Sequence, residues 1–309
     1  MKKTLLLLLC VVCSQVSFAQ ISRISEPQKN QPTISKFDST KNIIIPTTEG
    51  VYDPNIQTFV GQKIYLKPLR KFERESGYTS IVTMDYDPER PPYLYHYKQY
   101  SLLSEKTYEI IKIDTFLTKY KGYIFTLRMV EDENILCKYI YHGHEYGCPF
   151  ITISHYNYLC NTYKGGKYIL SNYCFNDKTY EEMKKEPRIK PWTVEDISVD
   201  DEGVLYVIVK NDEIKDKITL EDFRNNLEDP KYSKNVFSEL EWNSLVKQYG
   251  LDMMKSVLMH HIKIGMPEKL VKYSWGKPER INTSSYGDDQ WCYDGQYVYF
   301  KNHKVSAWN

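Results

Sequence analysis

Alternating apolar and polar side chains predict that the middle of the chain is built from short strands. Residues 62–66 alternate, and residues 131–134 form an acidic turn between two apolar runs, which predicts a hairpin loop. Further strands are predicted at 108–113, 122–130, 135–141, 150–154 and 168–170. Five or six short strands with turn residues between them favour a small antiparallel barrel.

A second, smaller set of predicted strands repeats this order of strands and turns. Strands are predicted at 194–197, 204–209 and 218–220, with an acidic turn at 200–203. Residues 177–186 predict a short capped helix between the two sets, ended by Pro187. The spacing of both sets resembles that of bacterial SH3-like barrels, which are often duplicated in envelope proteins.

The last part of the chain predicts helices followed by a meander. Ser238 and Glu241 have the spacing of a capping box, which opens a helix to Tyr249. A second helix is predicted at 251–259, and a third begins at Pro267 and ends at Gly276. Strands are predicted at 281–283, 290–293, 297–301 and 304–308.

Several spaced residues in this part resemble the SmpA/OmlA (BamE-like) domain. The residues that carry the resemblance are Gly265, Met266, Val271, Gly276, Pro278, Trp291, Tyr293, Tyr299 and Phe300. The resemblance implies a helix-helix-meander fold in which these residues are structural, with the aromatic residues packed on the helices. Similar domains occur in secreted proteins of unknown role and in protein inhibitors of hydrolases.

The sequence departs from that family at three points. Cys292 stands where an apolar residue would serve, which predicts a buried free thiol, and His303 replaces the usual turn glycine. The lipidated N-terminal cysteine of the assembly lipoproteins is also missing. The resemblance therefore implies the fold and not membership of the outer-membrane assembly machine.

Together these patterns predict an α+β protein with two small antiparallel SH3-like modules before the BamE-like domain. The expected divisions are a signal peptide at 1–19, a flexible lead at 20–56, a first β module with an insertion at 57–175, a short helix and smaller β module at 176–235, and an α/β domain at 236–309.

The first nineteen residues predict export. Lys2 and Lys3 precede an apolar run too short to span a bilayer, and Ala19 completes a small-residue cleavage site. Cys10 and Cys13 follow larger residues than lipoprotein processing prefers, so lipidation is not expected. No other segment predicts a transmembrane helix. We expect a periplasmic or extracellular protein, associated with the outer membrane, if at all, through a partner.

Composition narrows the function classes. The chain has 28 Tyr in 309 residues and a formal net charge of +1. So many aromatic residues argue against a disordered chain, and a balanced charge argues against a nucleic-acid binder.

Export gives the cysteines a predicted role. Cys137, Cys148, Cys160 and Cys174 lie close together in sequence and predict a disulfide framework in an oxidising compartment. Pairing Cys137 with Cys148 and Cys160 with Cys174 closes two short loops and is preferred, whereas buried unpaired thiols are the alternative.

The sequence predicts no catalytic residue, metal or cofactor. The spacing is compatible with zinc ligation by His142, His144, Cys148 and His155. Cys148 and His155 could also serve as the thiol and imidazole of a cysteine hydrolase, but no local motif supports either site. His260 and His261 are interpreted as charged groups at a helix end.

Tyr93, Tyr95 and Tyr97 alternate, and if they lie on a strand they share one face. That face is the binding candidate, and core packing is its alternative. The predicted function is a non-enzymatic envelope protein that binds a protein or peptide. The second hypothesis is an inhibitor of a hydrolase or a glycan-binding module that uses exposed aromatic faces.

Overall fold

The described part of the chain folds into three β-sheets joined by helices. The computed structural model describes residues 22–23, 56–97, 99–117, 121–141, 148–175, 178–187, 189–212, 214–228, 232–283 and 288–309. Within this part, the first strand is β1 (Ser22–Arg23), and an apolar core packs against each sheet. The α+β class expected from the sequence is confirmed.

The first sheet is antiparallel and consists of a long meander with shorter strands beside it. Its strands are β2 (Lys63–Leu66), β3 (Ile81–Val82), β4 (Thr107–Leu117), β5 (Lys121–Met129), β6 (Leu136–Tyr141) and β7 (Phe150–Thr152), with helix α1 (Tyr100–Leu103) before β4. Their spatial order is β3-β6-β5-β4-β2-β7. Tyr108, Phe125 and Tyr139 fill its core. The hairpin predicted at 131–134 is confirmed, because β5 and β6 pair on either side of it.

A helix missed by the sequence reasoning links this sheet to the second one. α2 (Ile153–Tyr163) begins directly after β7, where the Thr152 hydroxyl accepts a hydrogen bond from the His155 amide at 3.1 Å. The strand predicted over 150–154 is therefore wrong beyond Thr152. Tyr156 of α2 shares one core with Tyr65 of β2 and Ile151 of β7, as well as with the second sheet.

The second sheet combines a meander with two strands from distant parts of the chain. Its strands are β8 (Lys167–Leu170), β9 (Trp192–Val199), β10 (Leu205–Lys210), β11 (Lys215–Thr219) and β12 (Val236–Ser238). They run in the order β11-β10-β9-β8-β12, and β1 pairs with β9 in the parallel direction.

Two helices accompany this sheet. α3 (Tyr180–Met183) confirms the short helix predicted at 177–186, and Thr179 forms its capping box with Glu182. α4 (Leu220–Glu228) begins where the sequence predicted the end of a strand. The Thr219 hydroxyl accepts from the Asp222 amide at 3.1 Å, which caps α4 and ends β11.

The C-terminal part contains three helices and a four-stranded meander, as the sequence predicted. The helices are α5 (Glu239–Tyr249), α6 (Leu251–Leu258) and α7 (Glu268–Trp275), and the strands are β13 (Arg280–Thr283), β14 (Asp289–Tyr293), β15 (Gln296–Lys301) and β16 (Lys304–Trp308). The Ser238 hydroxyl accepts from the Glu241 amide at 3.2 Å and so caps α5. Met266, Trp291 and Phe300 share a core with Ile169 and Phe237 of the second sheet.

Sheet membership divides the chain differently from the predicted boundaries at 175 and 235. β8 falls in the range predicted for the first module, yet it pairs with β9 and β12. β12 lies in the range predicted for the C-terminal domain, yet it pairs with β8. In the described residues, no helix has the length and apolar character needed to cross a membrane.

Two glycines of the C-terminal part provide a matched test of backbone conformation. Gly265 and Gly276 both have φ of +80°, but a Cβ on Gly276 would lie 2.8 Å from the Tyr232 backbone, whereas one on Gly265 would meet nothing within 4 Å. We expect Gly265→Ala to lower the free energy of unfolding by about 1–2 kcal/mol through conformation alone.

Gly276→Ala should lower the free energy of unfolding by about 2–4 kcal/mol, because overpacking against the Tyr232 backbone adds to the same conformational cost. Urea denaturation of both variants measures the difference. Equal losses would contradict the close approach of Tyr232.

Candidate functional site

The segment that contains the three candidate tyrosines is a turn and not a strand. Pro92–Leu94 form a 3-10 helix whose preceding residue, Pro91, has its φ fixed by its ring. His96 makes an isolated bridge with Val82 of β3. The predicted strand with one aromatic face is therefore wrong, because two consecutive prolines favour the turn over an extended ladder.

The turn separates the three tyrosines. Tyr95 packs edge-on against Tyr86, with ring centroids 5.5 Å apart, beside a small apolar cluster on the first sheet. Tyr97 packs against the main core of that sheet. Tyr93 is 66% exposed and the adjacent Leu94 is 59% exposed. Of the three tyrosines, Tyr93 alone is available for contact with another molecule through most of its side chain.

We call Tyr93, Leu94 and Met84 the apolar tip, because all three are exposed and lie on the loop 84–94 that the backbone hydrogen bond between Thr83 and Tyr95 closes. The two backbone segments at its base are joined by hydrogen bonds, since the Thr83 amide donates to the Tyr95 carbonyl at 2.9 Å and the Tyr97 amide donates to the Ile81 carbonyl at 3.1 Å. These bonds and the packed rings of Tyr95 and Tyr97 fix the base of the turn. The large apolar side chains of the tip are thus held on a loop whose base is fixed.

Carboxylates lie beside the apolar tip. The Thr83 hydroxyl donates to Asp85 Oδ1 at 2.5 Å, and this hydrogen bond holds the pKa of the Asp85 carboxyl below its usual value. Arg90 lies 3.6 Å from Asp87 in an exposed ion pair. The residues around the tip are therefore polar.

The cysteines lie in cores instead of forming the predicted disulfides. Cys137, Cys160 and Cys174 carry free thiols, so neither Cys137–Cys148 nor Cys160–Cys174 is formed. Cys137 and Cys148 belong to the first core, and Cys160 and Cys174 belong to the core of the second sheet. Burial raises the pKa of the Cys137 thiol to about 12 and that of Cys160 to about 11. These residues act as small apolar groups.

The predicted zinc spacing can be followed only in part. His142 and His144 lie outside the described residues, whereas Cys148 and His155 are placed in a core and in the first turn of α2. Within the described ranges, no three His, Cys, Asp or Glu side chains are arranged to hold a metal. Burial, with the Arg224 charge adding to it, lowers the pKa of His155 to about 4.

Lys67 is an ionisable group that the sequence reasoning missed. Its amide donates to the Pro149 carbonyl at 2.8 Å, and its carbonyl accepts from the Tyr78 hydroxyl. Burial lowers the pKa of its ammonium, an effect that the neighbouring Cys148 opposes. Nothing in the local sequence distinguishes this lysine from those on the surface.

A partly buried polar cluster joins the second sheet to the C-terminal helices, and the sequence reasoning missed it as well. The polar junction consists of Tyr173, Asn226, Asn235 and His260. His260 Nε2 lies 2.7 Å from Asn235 Oδ1, and Asn235 Nδ2 donates to Asn226 Oδ1 at 3.1 Å. The His260 ring stacks on Tyr173 with centroids 4.1 Å apart. These residues come from separate segments, so no sequence spacing could reveal them.

The interpretation of His260 as a charged group at a helix end is wrong. Burial, with His261 adding to it, lowers the pKa of His260 to about 4, so its ring is neutral at pH 7. Its φ of 55° follows the end of α6. The carbonyl of His260 accepts a hydrogen bond from Trp275 Nε1 at 2.8 Å.

An ion pair between a buried lysine and a partly exposed glutamate lies beside the polar junction. Lys234 Nζ is 3.1 Å from Glu241 Oε2, and the Lys234 side chain is 7% exposed. The ammonium also lies over the rings of Phe237 and Tyr273, 5.3 and 5.4 Å from their centroids. Removal of Glu241 alone would leave a buried charge with weaker compensation.

The C-terminal motif residues lie where a structural role requires them, with one exception. Trp291 and Phe300 are buried with ring centroids 4.5 Å apart, and the Tyr293 hydroxyl donates to the Gly276 carbonyl at 3.2 Å. Met266 is fully buried. The exception is Tyr299, for which the resemblance implies packing on the helices. It pairs with Gln290 and therefore lies on the opposite face from Trp291.

The face opposite the helices also contains Cys292, which pairs with Tyr297 of β15. Cys292 is a buried free thiol, as predicted, and lies 3.5 Å from Asn282 Nδ2. Asn302 and His303 both have positive φ, so the turn from β15 to β16 keeps its left-handed backbone without a glycine. Asn tolerates this conformation best among residues with side chains.

Comparison with family models, curated proteins and solved structures found no match to this chain.

Acid should destabilise the protein through His260. Its pKa is about 4 in the folded state against an ordinary value of 6.5, so the unfolded state binds more protons between these values. The free energy of unfolding should therefore fall as the pH is lowered from 6.5 to 4, by at most about 3 kcal/mol for this residue. Urea denaturation across that range measures the slope.

His260→Asn should flatten that slope, since asparagine tolerates positive φ and does not titrate. His303→Asn is the control, because His303 has φ of 60° but an exposed ring. An unchanged slope in His260→Asn would show that burial of this ring does not cause the acid sensitivity.

Proposed function

We propose that this protein works by binding another protein or a peptide, and that the apolar tip is its contact surface. The observation that carries the proposal is the exposure of Met84, Tyr93 and Leu94 on one loop whose two ends are joined by backbone hydrogen bonds. Isolated exposed apolar residues are ordinary, but neighbouring ones with a polar rim are typical of interaction sites.

The chemistry of the tip suits a protein partner. A tyrosine offers a flat apolar ring and a hydroxyl, and only two side-chain torsions become fixed on binding. Leu94 and Met84 add apolar area that can adapt to the partner, since methionine is flexible. Anchors of this kind contribute most of the affinity in protein interfaces when charged residues surround them.

The same proposal includes the compartment, which is the cell envelope, and the class of protein, which is a binding protein without catalytic activity. The leader pattern at 1–19 supports an exported envelope protein, and the contact surface supports a role in binding without catalysis. Its partner would be an envelope protein or peptide, and that partner would mediate any association with the outer membrane.

We also propose that residues 236–309 form a BamE-like domain. Support comes from the order of three helices and a four-stranded meander, and from the positive φ of Gly265 and Gly276 at the two helix boundaries. For the middle of the chain, the SH3-like resemblance stays a prediction based on strand spacing.

The test compares Tyr93→Ala/Leu94→Ala with the native chain in affinity capture from envelope extract, with partners quantified by mass spectrometry. A true partner should be lost by at least tenfold with the variant, because its anchors are removed. Tyr180→Ala is the matched control, because Tyr180 is 64% exposed on a different helix. The captured protein is then purified and its affinity for all three chains is measured directly.

Three outcomes would contradict the proposal. If both variants bind alike, the tip is not the contact surface. If the double variant loses thermal stability, these residues serve the core. Binding to a glycan panel that depends on Tyr93 would favour the glycan-binding hypothesis instead.

A further inference from the structure

The C-terminal sheet has a second face, on the side away from the helices. Val298 and Phe300 of β15 are buried in the core with the helices, so the alternate residues of that strand lie on the other side. Cross-strand pairing places residues of β13 and β14 beside them. We call this surface the polar face, and its residues are Arg280 and Asn282 of β13, Gln290 of β14, and Tyr297, Tyr299 and Lys301 of β15.

Hydrogen bonds across the strands hold the middle of the polar face in place. Asn282 Nδ2 donates to Gln290 Oε1 at 2.8 Å, and Gln290 Nε2 donates to the Tyr299 hydroxyl at 3.1 Å. A side-chain amide has one acceptor oxygen and two donor hydrogens, so Asn282 Oδ1 and one hydrogen of Gln290 Nε2 remain for a ligand. Side chains that are fixed before binding lose less entropy when a ligand arrives.

The polar face carries positive charge at both ends. Arg280 and Lys301 are exposed, and among the described residues neither forms an ion pair with a carboxylate. Lys301 pairs with Lys304 of β16, which adds a second ammonium at the same end. Of the described residues that follow the same alternation, only Asp288 is acidic.

The two charged ends are too far apart for one small anion. Arg280 lies in the same cross-strand row as Tyr297, and Lys301 is four residues further along β15. At ordinary strand spacings the Cα atoms of Arg280 and Lys301 are therefore roughly 16 Å apart. A ligand that contacts both must be an extended chain with several negative charges.

The chemistry between the two ends suits a glycan better than a peptide. Tyrosine rings can stack on the apolar faces of sugar rings, and side-chain amides can donate to and accept from sugar hydroxyls. Peptides are usually bound by an open strand edge or an apolar groove, whereas the polar face is the flat surface of paired strands. Carboxylates are the anions that a guanidinium binds in two-point geometry.

We propose that the polar face binds an extended glycan that carries carboxylate groups. Its sugar rings would lie on Tyr297 and Tyr299, and its carboxylates would pair with Arg280 and Lys301. This site is separate from the apolar tip, so either proposal can fail while the other stands.

The test measures binding of a galacturonic acid hexamer to the full chain by isothermal titration calorimetry. The native chain should bind it about tenfold more tightly than the same hexamer with its carboxylates reduced to alcohols, because the neutral chain cannot pair with the cations. Arg280→Gln/Lys301→Gln should weaken binding of the acidic hexamer by about tenfold for the same reason. Lys71→Gln/Lys247→Gln is the matched control, since both lysines are exposed outside the polar face and the same charge is removed. It should bind like the native chain.

Two further comparisons separate stacking from charge. Tyr299→Ala should weaken binding by about fivefold, whereas Tyr299→Phe, which keeps the ring, should retain most of the affinity. A glutamate hexamer with the same number of carboxylates should bind about tenfold more weakly than the acidic glycan, because it has no rings to stack on the tyrosines.

Several results would overturn the proposal. These are no binding of the acidic hexamer to the native chain, equal binding of its reduced form or of the glutamate hexamer, and an equal loss in the lysine control. If the Arg280 and Lys301 double variant does not fold, Lys301→Gln alone must weaken binding by about threefold for the proposal to stand.

Discussion

The alternation of side chains along β8 and β12 commits adjacent residues to two different cores. Tyr168 and Leu170 point into the core shared with α2, whereas Ile169 points into the core of the C-terminal helices. On β12, Val236 and Phe237 divide in the same way. Because the period of a strand is two, a slip of one residue would place each side chain in the wrong core. The placement of the second sheet relative to the C-terminal helices therefore depends on the register of these two strands.

The polar junction lies beside the same two strands and adds directional hydrogen bonds to their apolar packing. Apolar contacts tolerate small rotations, but a histidine held by an asparagine amide and stacked on a tyrosine has one satisfactory arrangement. Ser171, directly after β8, donates to the Leu258 carbonyl at the end of α6 at 2.8 Å. Register and hydrogen bonding thus fix the same boundary in two independent ways.

Local patterns could predict most elements but not the way in which they assemble. The strands around 108–141 and the helices after Ser238 carry strong periodic or capping signals, and both sets were confirmed. α2 and α4 were missed because each follows a strand without a break, and the threonine that caps it is also a common strand residue. The membership of β8 and β12 in one sheet joins residues far apart in sequence, and no local signal specifies it.

The candidate sites show the same limit. The spacing of Tyr93 marks it as a candidate, but the prolines before it decide that Tyr95 and Tyr97 turn inward. Lys67 and His260 have unusual environments that arise only from tertiary burial. Cysteine spacing suggests pairs, and each suggested pair does share a core, although the sulfurs remain apart. A sequence therefore indicates which residues are unusual more readily than what surrounds them.

The parallel pairing of β1 with β9 has a consequence for the order of folding. Loop-closure entropy opposes contacts between residues distant in sequence, so such contacts tend to form late. Ser22 and Arg23 are made well before their pairing partners Ser198 and Val199, which follow them in the sequence at a distance of about 176 residues. Each residue of β1 is thus made before its partner in β9, and it can pair only after the second sheet has been made.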